Sequence, residues 1–396
     1  MNWTHHWRRI ALTLFSAGLL ALSGWGTVIS SAQAAHSTAA GTPVCGTGDH
    51  GLLKDLHKKH AQQEEAPFAF SDISFLNSET GRAVGNGFMI GTSDGGCHFQ
   101  EIYQGQWNFK GISFPDNVHG WAIASIGEGQ ANYLIASADG GSTWKNISGK
   151  ATVFDRIDFM DSKNGFAYSR NAVFSTKDSG QSWTEIQTPA NTRGAYFSSP
   201  SSGWSVVVAP GTGYRVMKTT DGGTTWKLSL QSGITYPTGG EIYAKGNQVY
   251  ALLYGDSGMS QTSYSLYASS DKGGTWKRVI AQATAGGGPA PGSGSAQLKS
   301  GPASGRPGNM QLVGNSTAIL VGYSPAGEQV AVGRTVNGGR TWSNLKPIQG
   351  FEGTISFPDS KHGWLAVREQ DESAVYATAD GGSSWKQKFA FKDAGR

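Results

Sequence analysis

The chain has 396 residues, of which 57 are glycine and only 15% are charged, and its 28 acidic groups nearly balance 32 basic ones. Glycine at about twice its usual share of roughly 7% points to many tight turns, and the even charge leaves no electrostatic footprint for nucleic acid. A length of this kind suggests two or three domains, but an internal repeat overrides that expectation.

Residues 1–35 read as an export signal. Arg8 and Arg9 precede an apolar stretch from Ile10 to about Ile29, and Ser31-Ala32-Gln33-Ala34-Ala35 offers a small-x-small cleavage site. The alternative is an uncleaved anchor, the chain's one route to a membrane, since the stretch approaches the roughly 20 residues a span requires. Removing the two arginines leaves 30 basic against 28 acidic groups, about +2. A secreted or extracytoplasmic location follows.

Residues 36–66 are not strand-like. Leu52, Leu53 and Leu56, set among Lys54, Lys58, Lys59, Glu64 and Glu65, predict a short amphipathic helix that is mostly solvated. His57 and His60 lack a third ligand and read as part of its polar face, so no metal or other cofactor is expected. Cys45 and Cys97 are the only cysteines. An even count in an exported chain suggests a disulfide tying this segment to the first repeat, with two reduced thiols as the alternative.

Residues 67–392 carry one phrase seven times. Ser137-Ala138-Asp139-Gly140-Gly141-Ser142-Thr143-Trp144 returns at Thr92 to Phe99, Thr176 to Trp183, Thr219 to Trp226, Ser269 to Trp276, Thr335 to Trp342 and Thr378 to Trp385. The third positions are Asp94, Asp139, Asp178, Asp221, Asp271, Asn337 and Asp380, spaced 45, 39, 43, 50, 66 and 43 residues apart, a period typical of propeller blades. Each phrase predicts a hairpin turn in which the carboxylate accepts backbone N–H groups and glycine supplies positive φ. The tryptophan that follows is expected between neighbouring sheets.

A second phrase precedes each turn: Ile112-Ser113-Phe114-Pro115-Asp116 then Gly120-Trp121, Ile157 to Asp161 then Gly165-Phe166, and Ile355 to Asp359 then Gly363-Trp364, with weaker forms at Ile73 to Gly81 and Ala195 to Trp204. Near Ile242 and Leu312 only the alternation survives. The two phrases give four strands per repeat, A to D, with the aspartate turn joining C to D. The predicted fold is all-β: a seven-bladed β-propeller of four-stranded antiparallel blades. Residues 281–309, rich in Gly, Ala, Pro and Ser, read as a flexible insertion within it.

This topology puts the aspartate turns on one face as structural elements and leaves the B-to-C and D-to-A connections on the other for binding. There Arg156, Arg170, Arg193 and Arg215 come from adjacent repeats and suit an acidic partner; the plainer reading pairs them with Asp155, Glu185 or nearby carboxylates. Trp107 and Tyr214 are further partner-binding candidates, with Tyr103, Tyr133, Tyr236 and Tyr254, able to stack on sugars or anchor a protein. Asp72, Asp155 and Glu241, just before strands A of the first, third and fifth repeats, are the carboxylates an enzyme could use. No metalloprotease, nucleophile-elbow, phosphate-loop or Cys-x-x-Cys motif occurs, and no catalytic residue is assigned.

The aspartate phrase resembles the Asp-box, or BNR, repeat of sialidases, xyloglucan-cleaving glucanases, the sortilin ectodomain and photosystem II assembly-factor-like propellers, over about Phe68 to Lys392. His98 and Asn337 depart from its pattern. The alternation of Ile-Ser-Phe-Pro-Asp…His-Gly-Trp with Asp-Gly-Gly-x-x-Trp is most similar to the photosystem II stability and assembly factor family. That resemblance implies a non-catalytic, seven-bladed scaffold that holds a protein partner through an arginine-rich patch, here matched by location only to the four arginines; a monomer is expected. The Arg-Ile-Pro phrase of sialidases is missing. An extracytoplasmic glycoside hydrolase, with a glycan as ligand, is the second reading.

Overall fold

The computed structural model describes residues 49, 51–52, 54–56, 69–127, 129–234, 236–292, 301–302, 304–369 and 372–392. The expected signal, Cys45, His57 and His60 lie outside them.

Among the described residues six antiparallel sheets follow one another in chain order. The first contains β1 (Phe70–Phe75), β2 (Gly81–Thr92), β3 (Gln100–Ser113), β4 (Gly120–Ser125), β5 (Tyr133–Ser137) and β6 (Lys145–Asn146). The second contains β7 (Arg156–Phe159), β8 (Gly165–Tyr168), β9 (Val173–Thr176) and β10 (Thr184–Ile186), and the third β11 (Thr192–Phe197), β12 (Gly203–Ala209), β13 (Gly213–Thr219) and β14 (Lys227–Gly233). The fourth contains β15 (Gly240–Lys245), β16 (Gln248–Gly258), β17 (Gln261–Ser269) and β18 (Lys277–Gln282). In the fifth, β19 (Arg306–Val313), β20 (Thr317–Ser324), β21 (Gln329–Thr335) and β22 (Ser343–Asn344) are joined by β23 (Ile348–Gln349), which pairs with β21. The sixth contains β24 (Glu352–Ser356), β25 (Gly363–Arg368), β26 (Glu372–Thr378) and β27 (Lys386–Lys392).

Counted as hydrogen-bonded sheets, the propeller therefore has six blades, which corrects the expectation of seven separate four-stranded ones. The first two repeats share one six-stranded sheet. The reason is local. Between them only Gly105, Gln106 and Trp107 remain as a connection, too short to leave the extended backbone. β3 pairs with β2 from Gln100 to Gln104, and after a register shift Asn108 faces both Asn86 of β2 and Ser125 of β4, so pairing carries on from one repeat into the next.

The sequence phrases have direct physical counterparts. At the end of a strand A the phenylalanine ring lies on the glycine that opens strand B: a Cβ at Gly120 would stand 2.3 Å from Phe114, and one at Gly363 2.2 Å from Phe357. The next aromatic reaches across to the following repeat. Trp121 stacks on Phe159 with centroids 3.8 Å apart, and Phe166 on Phe197 at 5.0 Å. The tryptophans of the aspartate phrase meet these rings edge-on, as Trp144 does Phe114 and Trp183 does Phe159. Most are half-buried at the rim of the intersheet cores rather than fully enclosed.

In each aspartate turn the leading hydroxyl and the carboxylate satisfy the loop from within. Ser137 Oγ accepts the N–H of Gly141 at 2.8 Å and donates to Asp139, whose carboxylate accepts the Thr143 N–H at 2.9 Å and its hydroxyl at 2.6 Å. Hydroxyls of Ser182 and Thr225 pull Asp178 and Asp221 down to about 2. Where Asn337 replaces aspartate, its amide donates to Thr341 at 2.8 Å, and where His98 replaces the hydroxyl its ring meets Asp94 at 2.6 Å. Backbone bonds such as Gly140 N–H to Val118 C=O, 2.8 Å, tie these turns to the A-to-B turns on the same end of the molecule.

The ring closes between the sixth sheet and the first. Phe75 stacks on Trp364 at 3.5 Å, and its N–H donates to Ser356 Oγ at 2.8 Å. Leu52 and Leu56, in helical backbone, are buried there against Ile73, Phe88, Phe389 and Phe391. These two leucines plug the seam while Lys54 and Asp55 between them stay exposed, so the apolar face of the expected helix is buried where it is described and its polar face is solvated. In the insertion, residues 284–292 are held to the fourth sheet, with Ser263 Oγ donating to Gly287 C=O at 2.7 Å and Ser265 Oγ to Pro291 C=O at 2.6 Å.

Candidate functional site

Strands A begin, and strands B and C meet, at the end of the propeller opposite the aspartate turns. The sequence-predicted arginines all belong to this end of the second and third sheets, but they divide into two kinds. Arg156 is an internal strut. Its Nη2 donates to Ala195 C=O at 2.9 Å, and its guanidinium carbon lies 4.1 Å from the Tyr168 ring centroid and 5.8 Å from that of Tyr196. Burial works against its charge, and Tyr168 with the carboxylates of Glu241 and Asp158 more than restores it.

Around Arg156 lies a polar cluster contributed by the second, third and fourth sheets. Glu241 Oε1 accepts the Tyr254 hydroxyl at 2.7 Å, and Oε2 accepts that of Tyr243. Burial, reinforced by Glu241, holds both phenols well above their ordinary range. Burial also pushes Tyr196 up to about 12 and raises Asp158, which Arg156 partly offsets. The carboxylate of Asp72, on β1, accepts the N–H groups of Ile73 at 2.8 Å and Ile112 at 3.0 Å, while burial pushes it up to about 6. Both oxygens of Asp72 and of Glu241 are thus engaged; Asp155 is exposed at the head of β7.

Arg170, Arg193 and Arg215 are the second kind. Arg170 is exposed in the turn between β8 and β9, and Arg215 is exposed on β13 itself, not in the loop before it. Arg193 is half-buried and donates to Thr192 C=O at 2.9 Å. Among the described residues none of the three forms an ion pair with Asp155, Glu185 or any other carboxylate within 4.0 Å.

Trp107 and Tyr214 are buried. Trp107 packs edge-on to Tyr133, and the Tyr214 hydroxyl accepts the N–H groups of Thr238 at 2.7 Å and Gly239 at 3.1 Å while donating to Tyr254 C=O. Tyr103 packs on Phe109. Of the aromatic candidates Tyr236 stands out, 71% exposed. Three apolar side chains on the same end escaped the sequence reading: Ile126, Val153 and Met259, 53%, 70% and 88% exposed. Composition alone gave no signal for them, because exposure is decided by loop geometry. Among the described residues no three His, Cys, Asp or Glu side chains are placed to share a metal ion.

No family model matches the chain. It is 29% identical over 239 residues to the photosystem II assembly lipoprotein Ycf48 of Synechococcus sp. (strain CC9902), a match that covers 52% of this chain and 68% of that protein. Among solved structures, YCF48 bound to D1 peptide aligns over 85% of this chain and 99% of its own with a TM-score of 0.51 and 16% identity. YCF48 from Cyanidioschyzon merolae aligns over 80% and 94% with a TM-score of 0.50 and 12% identity. The GH74 xyloglucanase from Xanthomonas campestris aligns over 82% of this chain but only 55% of its own, with a TM-score of 0.53 and 12% identity. The chain is a β-propeller, similar in sequence to the photosystem II assembly protein Ycf48.

Proposed function

We propose that this protein is an exported, non-catalytic binding or assembly scaffold that holds an acidic segment of a protein partner on the end of the propeller opposite its Asp-box turns. The observation that carries the reading is the group Arg170, Arg193 and Arg215, on neighbouring sheets and without carboxylate partners among the described residues. Guanidinium groups without a carboxylate partner among the described residues, at one end of a chain with so few charges, are suited to carboxylate recognition. The likeness to a Ycf48 structure whose bound ligand is a peptide supports a protein as that partner. A Cys45–Cys97 disulfide and a cleaved signal belong to the same proposal, since both suit an extracytoplasmic scaffold.

The test is retention of extracytoplasmic proteins on the immobilised chain, beside hydrolysis assays on xyloglucan and a sialoside. Charge reversal at Arg193 and Arg215 weakens retention and flattens its salt dependence, because exposed charges are screened beyond roughly 8 to 10 Å at physiological salt. Hydrolysis that disappears on Asp72→Asn or Glu241→Gln, with the arginine variants still active, would replace this reading with the glycoside hydrolase.

A further inference from the structure

The hairpin between β16 and β17 is built unlike a passive loop. Its tip residues Met259 and Ser260 have φ of 50° and 62°, a left-handed region in which glycine or asparagine is the ordinary choice for a two-residue turn. A methionine held there and 88% exposed carries both backbone strain and unsatisfied apolar surface. Strain of this kind persists only where the surroundings impose it.

Those surroundings are the chain's own insertion. Gly286 N–H donates to Gln261 Oε1 at 2.8 Å, Thr262 N–H to Gly305 C=O at 2.7 Å, and Ser257 and Thr262 hydroxyls meet at 2.8 Å. Gly258 and Gly286 pass so closely that a Cβ on Gly286 would stand 2.1 Å from Gly258 C=O. Gly286 and Gly305 of the insertion thus buttress the hairpin that presents Met259.

Contacts through backbone and buried groups run from β11 and β13, the strands that carry Arg193 and Arg215, to the foot of this hairpin. A Cβ on Gly239 would lie 3.4 Å from Arg193 C=O, Tyr214 beside Arg215 caps the Thr238 and Gly239 N–H groups, and Thr238 Oγ1 donates to Gly255 C=O, 3.0 Å, at the foot of the hairpin. Tyr236, 71% exposed, belongs to the same connection.

Resting on the function proposed above, we infer that Met259 and Tyr236 form an apolar anchor adjoining the arginines, so that the partner segment is bipartite: carboxylates over Arg193 and Arg215, then an aliphatic or aromatic side chain against the buttressed hairpin. Charge complementarity selects the acidic half, and methionine, unbranched and polarisable, suits contact with a varied apolar half.

The experiment uses fluorescein-labelled synthetic peptides on the full chain: one of four Asp/Glu residues, a Ser-Gly-Ser spacer and Leu-Phe, one with the Leu-Phe replaced by Ser-Ser, and one scrambled. The bipartite peptide binds at least about tenfold tighter than the other two, the size of a hot-spot contribution. Met259→Gly relaxes the turn, keeps or raises the melting temperature, and abolishes the tenfold preference; Tyr236→Ser reduces it. If Met259→Gly leaves the preference intact, or if bipartite and acid-only peptides bind alike, the anchor is refuted while the acidic-partner reading stands. If no acidic peptide binds, or Arg193→Glu with Arg215→Glu leaves acid-only binding unchanged, both fall.

Discussion

Asp72→Asn tests how β1 is held to β3, whose Ile112 N–H the carboxylate accepts. The wild-type carboxyl stands at about 6 in the folded protein against 3.8 in a free chain, with burial as the main cause and the two backbone N–H groups opposing it. A group raised in this way stabilises the fold fully below its unfolded value and loses that contribution as pH rises through its folded value. The difference from 3.8 to about 6, at about 1.36 kcal/mol per pH unit, is ~3 kcal/mol. Because the side chain is only half-buried, water screening brings the expected effect to ~1–2 kcal/mol. Urea unfolding followed by tryptophan fluorescence at pH 4, 5, 6, 7 and 8 reads it directly. The stability of the variant should gain on that of the wild type between pH 4 and 7, whatever their offset at pH 4. Parallel curves for the two proteins would refute the claim that Asp72 is ionised at a cost.

Leu56→Ala opens the seam core and should cost about 2–5 kcal/mol by urea unfolding, as for other fully buried leucines; no change would mean that the N-terminal segment is not part of the closure. Asp139→Ala breaks three hydrogen bonds of one turn and should lower the melting temperature while leaving peptide binding unchanged in the still-folded protein; loss of binding without loss of stability would place function on the aspartate end. Mass spectrometry after alkylation of the unreduced secreted protein should find neither Cys45 nor Cys97 modified, and two labelled thiols would exclude their pairing.

The strand-and-turn grammar could be read from the sequence because it is closed within a few residues. Ser137, Asp139 and Thr143 satisfy one another inside a single turn, and Phe114 needs only the bare backbone of Gly120 across the next. The count of sheets was not readable in the same way. It depends on whether Gly105 to Trp107 bends or extends, and nothing in those three residues distinguishes a short connection from a continuous strand. The arginines were found as residues but not as environments: Arg156 opens β7 and is drawn in by Tyr168 and Glu241, which come from different strands. Met259 was missed because its exposure is the work of Gly286 and Gln261, the first of which lies in a segment whose composition suggested no fixed contacts.

The seam has a consequence for how the molecule assembles in time. Every sheet is drawn from one continuous stretch of chain, so its strands can pair through short local hairpins. The bond from Phe75 to Ser356 instead joins residues 281 positions apart. Closure of so long a loop carries an entropy cost that the local hairpins avoid. The ring should accordingly build as an open arc and shut last, with the Phe75–Trp364 stack and the Leu52–Leu56 plug as its latch. An arc that fails to shut exposes the same aromatic surfaces at both ends, and a second arc could satisfy them, so aggregation during refolding should rise with protein concentration and should be worst when the latch leucines are removed.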